Sequence, residues 1–387
     1  MERRELIYLD NAATSFPKPI GVIEEMKKFM LYRGGNAGRG SHELAIEASK
    51  AVYDCRARLA EMFDAEGPER VCFTLNTTYA LNFAIKGLLD SGDHVLISDL
   101  EHNAVLRPIY KLSQEGRISY DVFSSMAGDT KRSAARICAG ITRLLRKETR
   151  MLVCTGASNV CSVEMPLAEI GALCKRKGIL FVVDGAQCAG HREISMKRMN
   201  IDVLCLPAHK GLLGPQGCGI VIFGNDLSLR CTTLVEGGNG VASLDLDMGE
   251  FLPERYEAGT LPLPAIAGLG EALHIIRQMG TEEIAARERM LFYRAREQLM
   301  NTKGVTVYCP ESSGAVLLFN VDGHGSEDVS RQLSDMGICV RGGYHCTMLG
   351  HKTLGTLEGG AVRASFGAFN RTDDIDALCA GVRGLLK

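Results

Sequence analysis

The sequence lacks an uninterrupted apolar run long enough to cross a bilayer, an excess of one charge, a pair of cysteines at C-x-x-C spacing, an internal repeat and a low-complexity tail. Each absence excludes something. Without a run of about twenty apolar residues no membrane-spanning helix is expected. Lys and Arg number 44 against 46 Asp and Glu, a net charge of -2, which argues against a nucleic-acid surface or a polybasic membrane patch. The stretch from Met1 to Asp10 opens on charges and runs into Leu6-Ile7-Tyr8-Leu9, without the apolar core and small-residue cleavage site of a signal peptide. Most of the fourteen cysteines sit in apolar runs such as Met151-Leu-Val-Cys-Thr155 and Val203-Leu-Cys-Leu206, where they read as small buried hydrophobes, not disulfides or metal ligands. A reducing cytoplasm is the expected setting.

What is present is a chain of 387 residues, 46% hydrophobic and 23% charged, long enough for one large domain and a smaller one. Short β-rich runs alternate with helical patterns from about residue 44 to 223, the signature of an α/β fold with a parallel sheet wrapped by helices. Seven strands are expected: Val71 to Thr74, Val95 to Ser98, Ile118 to Phe123, Met151 to Thr155, Ile179 to Val183, Val203 to Leu206 and Gly219 to Phe223. Leu44 to Phe63 and Leu167 to Lys177 carry apolar residues at helical spacing, and so does the stretch from Pro264, with Ile266, Leu269, Leu273 and Ile276 on one face. A smaller α+β unit follows, with strands at Val305 to Tyr308, Ala315 to Val321, Ile338 to Val340 and Ala361 to Ser365 and helices at Ser326 to Met336 and Asp373 to Leu386. Glu236-Gly-Gly-Asn-Gly240 and the residues to Glu257 read as an irregular excursion. The expected division is a large domain over 15–260 and a small one built from 1–14 and 261–387.

In an open parallel sheet, ligands bind beyond the carboxyl ends of the strands, so the residues that follow each strand matter most. Asn76-Thr77-Thr78 opens a helix whose free NH groups favour a phosphate. His102, Asn159, Asp184 with Gln187, and His209-Lys210 follow four further strands. Each has a plain alternative: a helix cap, a solvated histidine, an Asp-Gly turn, a surface lysine. Together, in sheet order, they fit pyridoxal 5'-phosphate. A lysine amine condenses with its aldehyde and then serves as a base. A carboxylate, here Asp184, keeps the pyridine nitrogen protonated. His102 supplies an aromatic face, and Gln187 and Asn159 are placed to hydrogen-bond the ring's oxygen.

The chain resembles the class V aminotransferases of fold-type I pyridoxal enzymes, and within them the cysteine desulfurase and selenocysteine lyase-like branch. The resemblance rests on Tyr8-Leu-Asp-Asn-Ala-Ala-Thr14, Gly38-Arg-Gly-Ser-His42, Val182-Val-Asp-Gly-Ala-Gln187, Ala208-His-Lys-Gly211 with Gly214-Pro215, Tyr256-Glu-Ala-Gly-Thr260 and Arg363-Ala-Ser365. It implies that Lys210 holds the cofactor, that Thr78 and His209 help bind its phosphate beside Thr77, and that Thr260 reaches the cofactor of the partner subunit in a homodimer. Departures occur as well: Pro207 and Ala208 stand where a phosphate-binding serine is usual, Gly342 where threonine is common, and Tyr344 in place of a second histidine.

Within that family the C-terminal unit decides the reaction. Val340-Arg-Gly-Gly-Tyr-His-Cys346 looks like the desulfurase loop, in which a thiolate takes sulfur from the substrate and leaves alanine. Small and polar neighbours set Cys346 apart from the other cysteines, and His345 and Arg341 are candidates to promote its ionisation. An ordinary loop cysteine is the plain alternative, and a metal held by His345, Cys346 and His351 would want a fourth ligand. Arg363 matches the arginine that forks onto a substrate carboxylate, with Asn11, Arg341 and Asn370 lining the same pocket. The expected activity is therefore a desulfurase or selenocysteine lyase acting on cysteine or selenocysteine, with a sulfur-acceptor protein as a further partner. Another class V activity (an aminotransferase, epimerase or C-S lyase) and a non-catalytic cofactor-binding or scaffold homologue stand as alternatives.

Overall fold

Strands that are covered on both faces read as continuous apolar runs, and six such runs pair here with one half-exposed edge strand into a single sheet. The computed structural model describes residues 6–38, 40–224, 227–241 and 244–386; Met1 to Glu5, and Arg39 within the Gly38 to His42 motif, lie outside the described residues. The chain opens with β1 (Ile7–Tyr8), α1 (Ile20–Leu31) and α2 (Glu43–Met62). The sheet follows from β2 (Val71–Thr74), β3 (His94–Ser98), β4 (Ser119–Phe123), β5 (Thr149–Thr155), β6 (Leu180–Asp184), β7 (Val203–Pro207) and β8 (Gly219–Phe223). Interleaved with it are α3 (Thr77–Leu88), α4 (Asn103–Gln114), α5 (Ala134–Leu144) and α6 (Leu167–Lys177). Strand order is β2-β8-β7-β6-β5-β3-β4, with β8 antiparallel to both neighbours and the other pairings parallel.

Alternate residues of each strand go to opposite faces. Leu152, Cys154, Val183 and Leu204 join one hydrophobic layer with α1, α2 and α6, while Val153, Val182, Val203 and Cys205 join the other with α3 and α4. All seven expected strands are present, but the ladder carries some past their apolar runs. Thr155 pairs with Asp184 and Pro207 with Gly219, so Asp184 is the last residue of β6 itself.

Beyond α7 (Leu227–Arg230) and the excursion, which forms no strand among its described residues, come α8 (Leu263–Met279) and α9 (Thr281–Met300). The apolar face of α8 is buried in the layer that holds α1 and α2. The second unit comprises β9 (Val305–Tyr308), β10 (Val316–Val321), α10 (Ser326–Asp335), β11 (Ile338–Cys339), α11 (Met348–Thr353), β12 (Val362–Ser365) and α12 (Thr372–Leu385). Its three-stranded antiparallel sheet has the order β12-β10-β9, and β1 pairs in parallel with β11. Leu9 consequently shares a core with Phe292, Phe319 and Leu378. The sequence reading missed α1, α7, α9, α11 and β1. Helix α9 buries Ile284, Leu291, Phe292, Ala295 and Leu299, but Glu and Arg crowd its other positions and mask the periodicity. Among the described residues no helix is long and apolar enough to cross a membrane.

Candidate active site

Residues after β2, β3, β5, β6 and β7 line one cavity of about 310 Å³: Thr77, Thr78, His102, Asn159, Asp184, Gln187, His209 and Lys210 all face it. The convergence expected from strand order is thus realised. At one end lies the N-terminus of α3, capped by Asn76, whose Oδ1 accepts from the Tyr79 NH at 3.1 Å. Gly219 lets this helix start approach the sheet, since a Cβ there would lie 2.3 Å from the Asn76 carbonyl carbon. Thr77 Oγ1 and His209 Nδ1 are buried without a hydrogen-bond partner among the described residues. Buried polar atoms are almost always paired, so two orphans beside free helix NH groups form a cup that fits a phosphate. Pro207 in the same wall offers no side-chain donor.

At the other end Asp184 is 3% exposed and accepts from the Ala186 NH at 3.0 Å. Burial holds its carboxyl above the usual carboxylate range, against the pull of Lys210. Burial also lowers the Lys210 amine to about 8, opposed by the negative charge of Asp184. Four donors meet on the carbonyl oxygen of His209, next to that lysine: Ser15 N at 3.0 Å, Thr14 Oγ1 at 3.1 Å, Ser15 Oγ at 3.2 Å and Lys18 Nζ at 2.8 Å. His102 caps α4, with Nδ1 accepting from the Ala104 NH at 3.0 Å, so its ring proton sits on Nε2. Burial, with Lys210 and Arg363 nearby, pushes His102 down to about 4 and keeps it neutral. A buried amine, an acid and a phosphate cup around one cavity are the donor set that a phosphorylated pyridine aldehyde needs.

Arg363 is 3% exposed; its Nη2 donates to Asp10 Oδ1 at 2.7 Å and Nη1 to the Asn159 carbonyl at 3.1 Å. Its Nε is buried without a partner among the described residues. The other oxygen of Asp10 accepts from Arg341 Nε at 3.0 Å and Nη2 at 2.7 Å. Asn11 Nδ2 donates to Asn370 Oδ1 at 3.0 Å, and Asn370 Nδ2 to the Tyr8 carbonyl at 3.0 Å, which braces the chain beside these arginines. Gln187 Nε2 donates to the Ala12 carbonyl at 3.0 Å. Thr260 stands apart, in a different cavity with Asn36, Tyr53 and Asn239.

Of the cysteines, Cys346 is exposed, Cys138 and Cys339 are intermediate and the others are buried. Its backbone is pinned: the Cys346 carbonyl accepts from the Asn103 NH at 2.8 Å. Asn159 Nδ2 donates to the His345 carbonyl at 2.8 Å and Asn159 Oδ1 accepts from Thr347 Oγ1 at 2.6 Å. The Asn159 side chain is therefore engaged with the thiol loop from within the cavity wall. Of the two candidates to promote its ionisation, His345 is held neutral, because burial pushes its imidazole down to about 3. No group of three potential metal ligands occurs among the described residues.

Two buried acids beside the site escaped the sequence reading. Asp10 sits inside the Tyr8 to Thr14 motif, and its place directly after the apolar Tyr8-Leu9 was the available signal. Glu101 immediately precedes His102 and is fully buried. Its Oε1 accepts from Ser98 Oγ and from the Thr155 NH at 2.7 Å, and burial pushes it up to about 8.

A family model described as aminotransferase class-V matches residues 7–378. A cysteine desulfurase of Yersinia pseudotuberculosis is 32% identical over 395 aligned residues, covering 99% of this chain and 94% of that protein. A probable cysteine desulfurase of Methanothermobacter thermautotrophicus is 30% identical over 381, covering 97% and 93%. The apo structure of a cysteine desulfurase from Thermococcus onnurineus superposes with a TM-score of 0.90 at 30% identity, covering 98% of this chain and 94% of that one.

Proposed function

Because the chain belongs to the class V aminotransferase family, we propose that it is a pyridoxal 5'-phosphate-dependent cysteine desulfurase, converting cysteine to alanine and leaving the sulfur as a persulfide on Cys346. The observation that carries this reading is the placement of the one exposed thiol, Cys346, on a turn that Asn159 and Asn103 tie to the cavity of Lys210 and Asp184.

When bound, pyridoxal 5'-phosphate supplies an electron sink that labilises the bonds of the substrate's α-carbon and its neighbour. Lys210 is the amine that would hold the aldehyde, and an amine near 8 can both accept and return the α-proton close to neutral pH. Asp184 would face the ring nitrogen, His102 the ring, Gln187 and Asn159 the ring oxygen, and Thr77, Thr78 and His209 the phosphate. The unpaired Nε of Arg363 is the donor that a substrate carboxylate would find, with Arg341, Asn11 and Asn370 around it. Cys346 Sγ would form an S–S bond to the substrate sulfur as the substrate's C–S bond breaks, and a sulfur acceptor would then remove the outer sulfur. Selenocysteine offers the same geometry with a weaker bond to break.

The proposal includes a homodimer in which Thr260 reaches the partner's cofactor, and a division into 15–260 against 1–14 with 261–387. Pairing of β1 with β11 supports that division, with α8 as the element that rides on the large unit. The test is to incubate the cofactor-loaded protein with cysteine, selenocysteine and other amino acids plus a reductant, and to quantify alanine and sulfide or selenide. Cys346→Ser should make no alanine while still binding cofactor. Formation of a 2-oxo acid by that variant from an amino donor would instead indicate an aminotransferase.

A further inference from the structure

His345 and Cys346 have φ of 49° and 55°, consecutive L-residues in a left-handed region that side chains rarely adopt. Something must hold them there. The Asn159 and Asn103 bonds secure the two carbonyls of the turn, and a buried chain of side chains secures the imidazole. His345 Nε2 lies 3.1 Å from the Arg341 carbonyl, which only accepts, so Nε2 carries the ring proton. Nδ1 of a neutral His345 is then a lone pair, and it faces His351 Nε2 at 3.2 Å. His351 must donate from Nε2, which leaves its own Nδ1 to accept from Thr356 Oγ1 at 2.7 Å. This is the shorter of the hydroxyl's two contacts, the other being 3.5 Å to the His351 carbonyl. One assignment of protons satisfies these side-chain contacts with the two imidazoles neutral, the form that burial favours for both against the pull of the Thr356 and Tyr344 backbone on His351. His351 is 0% and Thr356 2% exposed, so no solvent competes for these contacts.

We propose that His351, backed by Thr356, is a positioning residue for the Cys346 thiol: through His345 it holds the turn in its left-handed conformation, and by occupying the last free nitrogen of His345 it bars that imidazole from taking the thiol proton. The neighbour in sequence is thereby a fixed strut, and the proton leaves Cys346 to another base. This rests on the desulfurase reading for its catalytic consequence but not for its geometry.

The experiment uses the full-length, cofactor-loaded protein with His351→Phe, Thr356→Val and His351→Gln. The glutamine amide can still donate to His345 and accept from Thr356. Desulfuration kcat is expected to fall roughly tenfold to a hundredfold in His351→Phe, the cost of a misplaced reacting group, with KM for cysteine little changed. Thr356→Val should show the same sign, and His351→Gln should restore most of the rate. Iodoacetamide alkylation of Cys346, with Cys346→Ser as blank, should change in rate in the same order. ¹⁵N NMR should find the His345 proton on Nε2. Unchanged alkylation in both His351→Phe and Thr356→Val, or a proton on His345 Nδ1, overturns the proposal. If the wild type makes no alanine, the desulfurase reading fails while the alkylation and NMR results still decide the role of His351.

Discussion

Asp10 and Arg363 form a buried ion pair, with Oδ1 2.7 Å from Nη2, beside the isolated bridge that joins Asp10 to Ser365 of β12. Because the second oxygen of Asp10 also takes two donors from Arg341, one carboxylate orients both arginines. Removing one partner of a buried pair strands the other charge, at a cost of about 3–5 kcal/mol. Asp10→Ala is expected to lower the melting temperature accordingly and to reduce kcat/KM for cysteine roughly tenfold to a hundredfold by releasing the arginines. Thermal melts and steady-state kinetics check both, and an unaltered KM and kcat would remove Arg363 from the substrate site.

The Thr77 hydroxyl behaves in the opposite sense. Its oxygen is buried and unpaired within the described chain, so Thr77→Val should leave the cofactor-free protein as stable as the wild type or slightly more so. A hydrogen bond to a charged phosphate contributes about 1.5–3 kcal/mol, hence the variant should bind pyridoxal 5'-phosphate roughly tenfold to a hundredfold more weakly. Melting of the cofactor-free protein and absorbance titration with the cofactor separate the two effects.

Attachment of cofactor to Lys210 requires the free amine, which burial brings from 10.5 to about 8. Labelling of cofactor-free protein, trapped with borohydride, should therefore rise with pH through a midpoint near 8 and be lost in Lys210→Ala. Asp184 holds the proton on that amine, so Asp184→Asn should move the midpoint lower. A midpoint at the ordinary lysine value would contradict the burial argument.

Glu101 sets a pH dependence of stability. Its folded carboxyl titrates near 8 against 4.5 for the ordinary group, so between those values the folded state holds a proton that the unfolded state has released. Its contribution is complete below 4.5 and is lost as pH rises through 8, a change of a few kcal/mol at about 1.4 kcal/mol per pKa unit. Glu101→Gln, neutral throughout, should fold and should lose less stability than the wild type between pH 5 and 9, measured by denaturant titration at each pH. Identical pH profiles for the two proteins would show that Glu101 is ionised in the folded state.

The strands and the residues that follow them were legible in the sequence because their causes are local. A strand covered on both faces must be apolar at every position, and the loop after it must hold whatever reaches the ligand. That logic found Thr77, His102, Asn159, Asp184 and Lys210, and the polar neighbours of Cys346 marked the thiol that is exposed. Helix α9 was missed for a local reason too, since its charged residues diluted a narrow apolar stripe.

Local pattern could not say who meets whom across the chain. Asp10 is separated from Arg363 by 353 residues, Asn159 from Thr347 by 188 and Arg56 from its buried partner Glu257 by 201. Even within six residues, only packing decided that the rings of His345 and His351 would lie nearly parallel, with centroids 5.4 Å apart, and share one proton arrangement. The sequence by itself determined the sheet, the strand ends that converge on one cavity and the thiol that is exposed, because hydrophobic periodicity and turn chemistry act over a few residues. The tertiary structure decided which oxygen holds each arginine, what Asn159 braces and why His345 carries no charge, because those follow from burial and from distances between segments that the chain brings together only by folding.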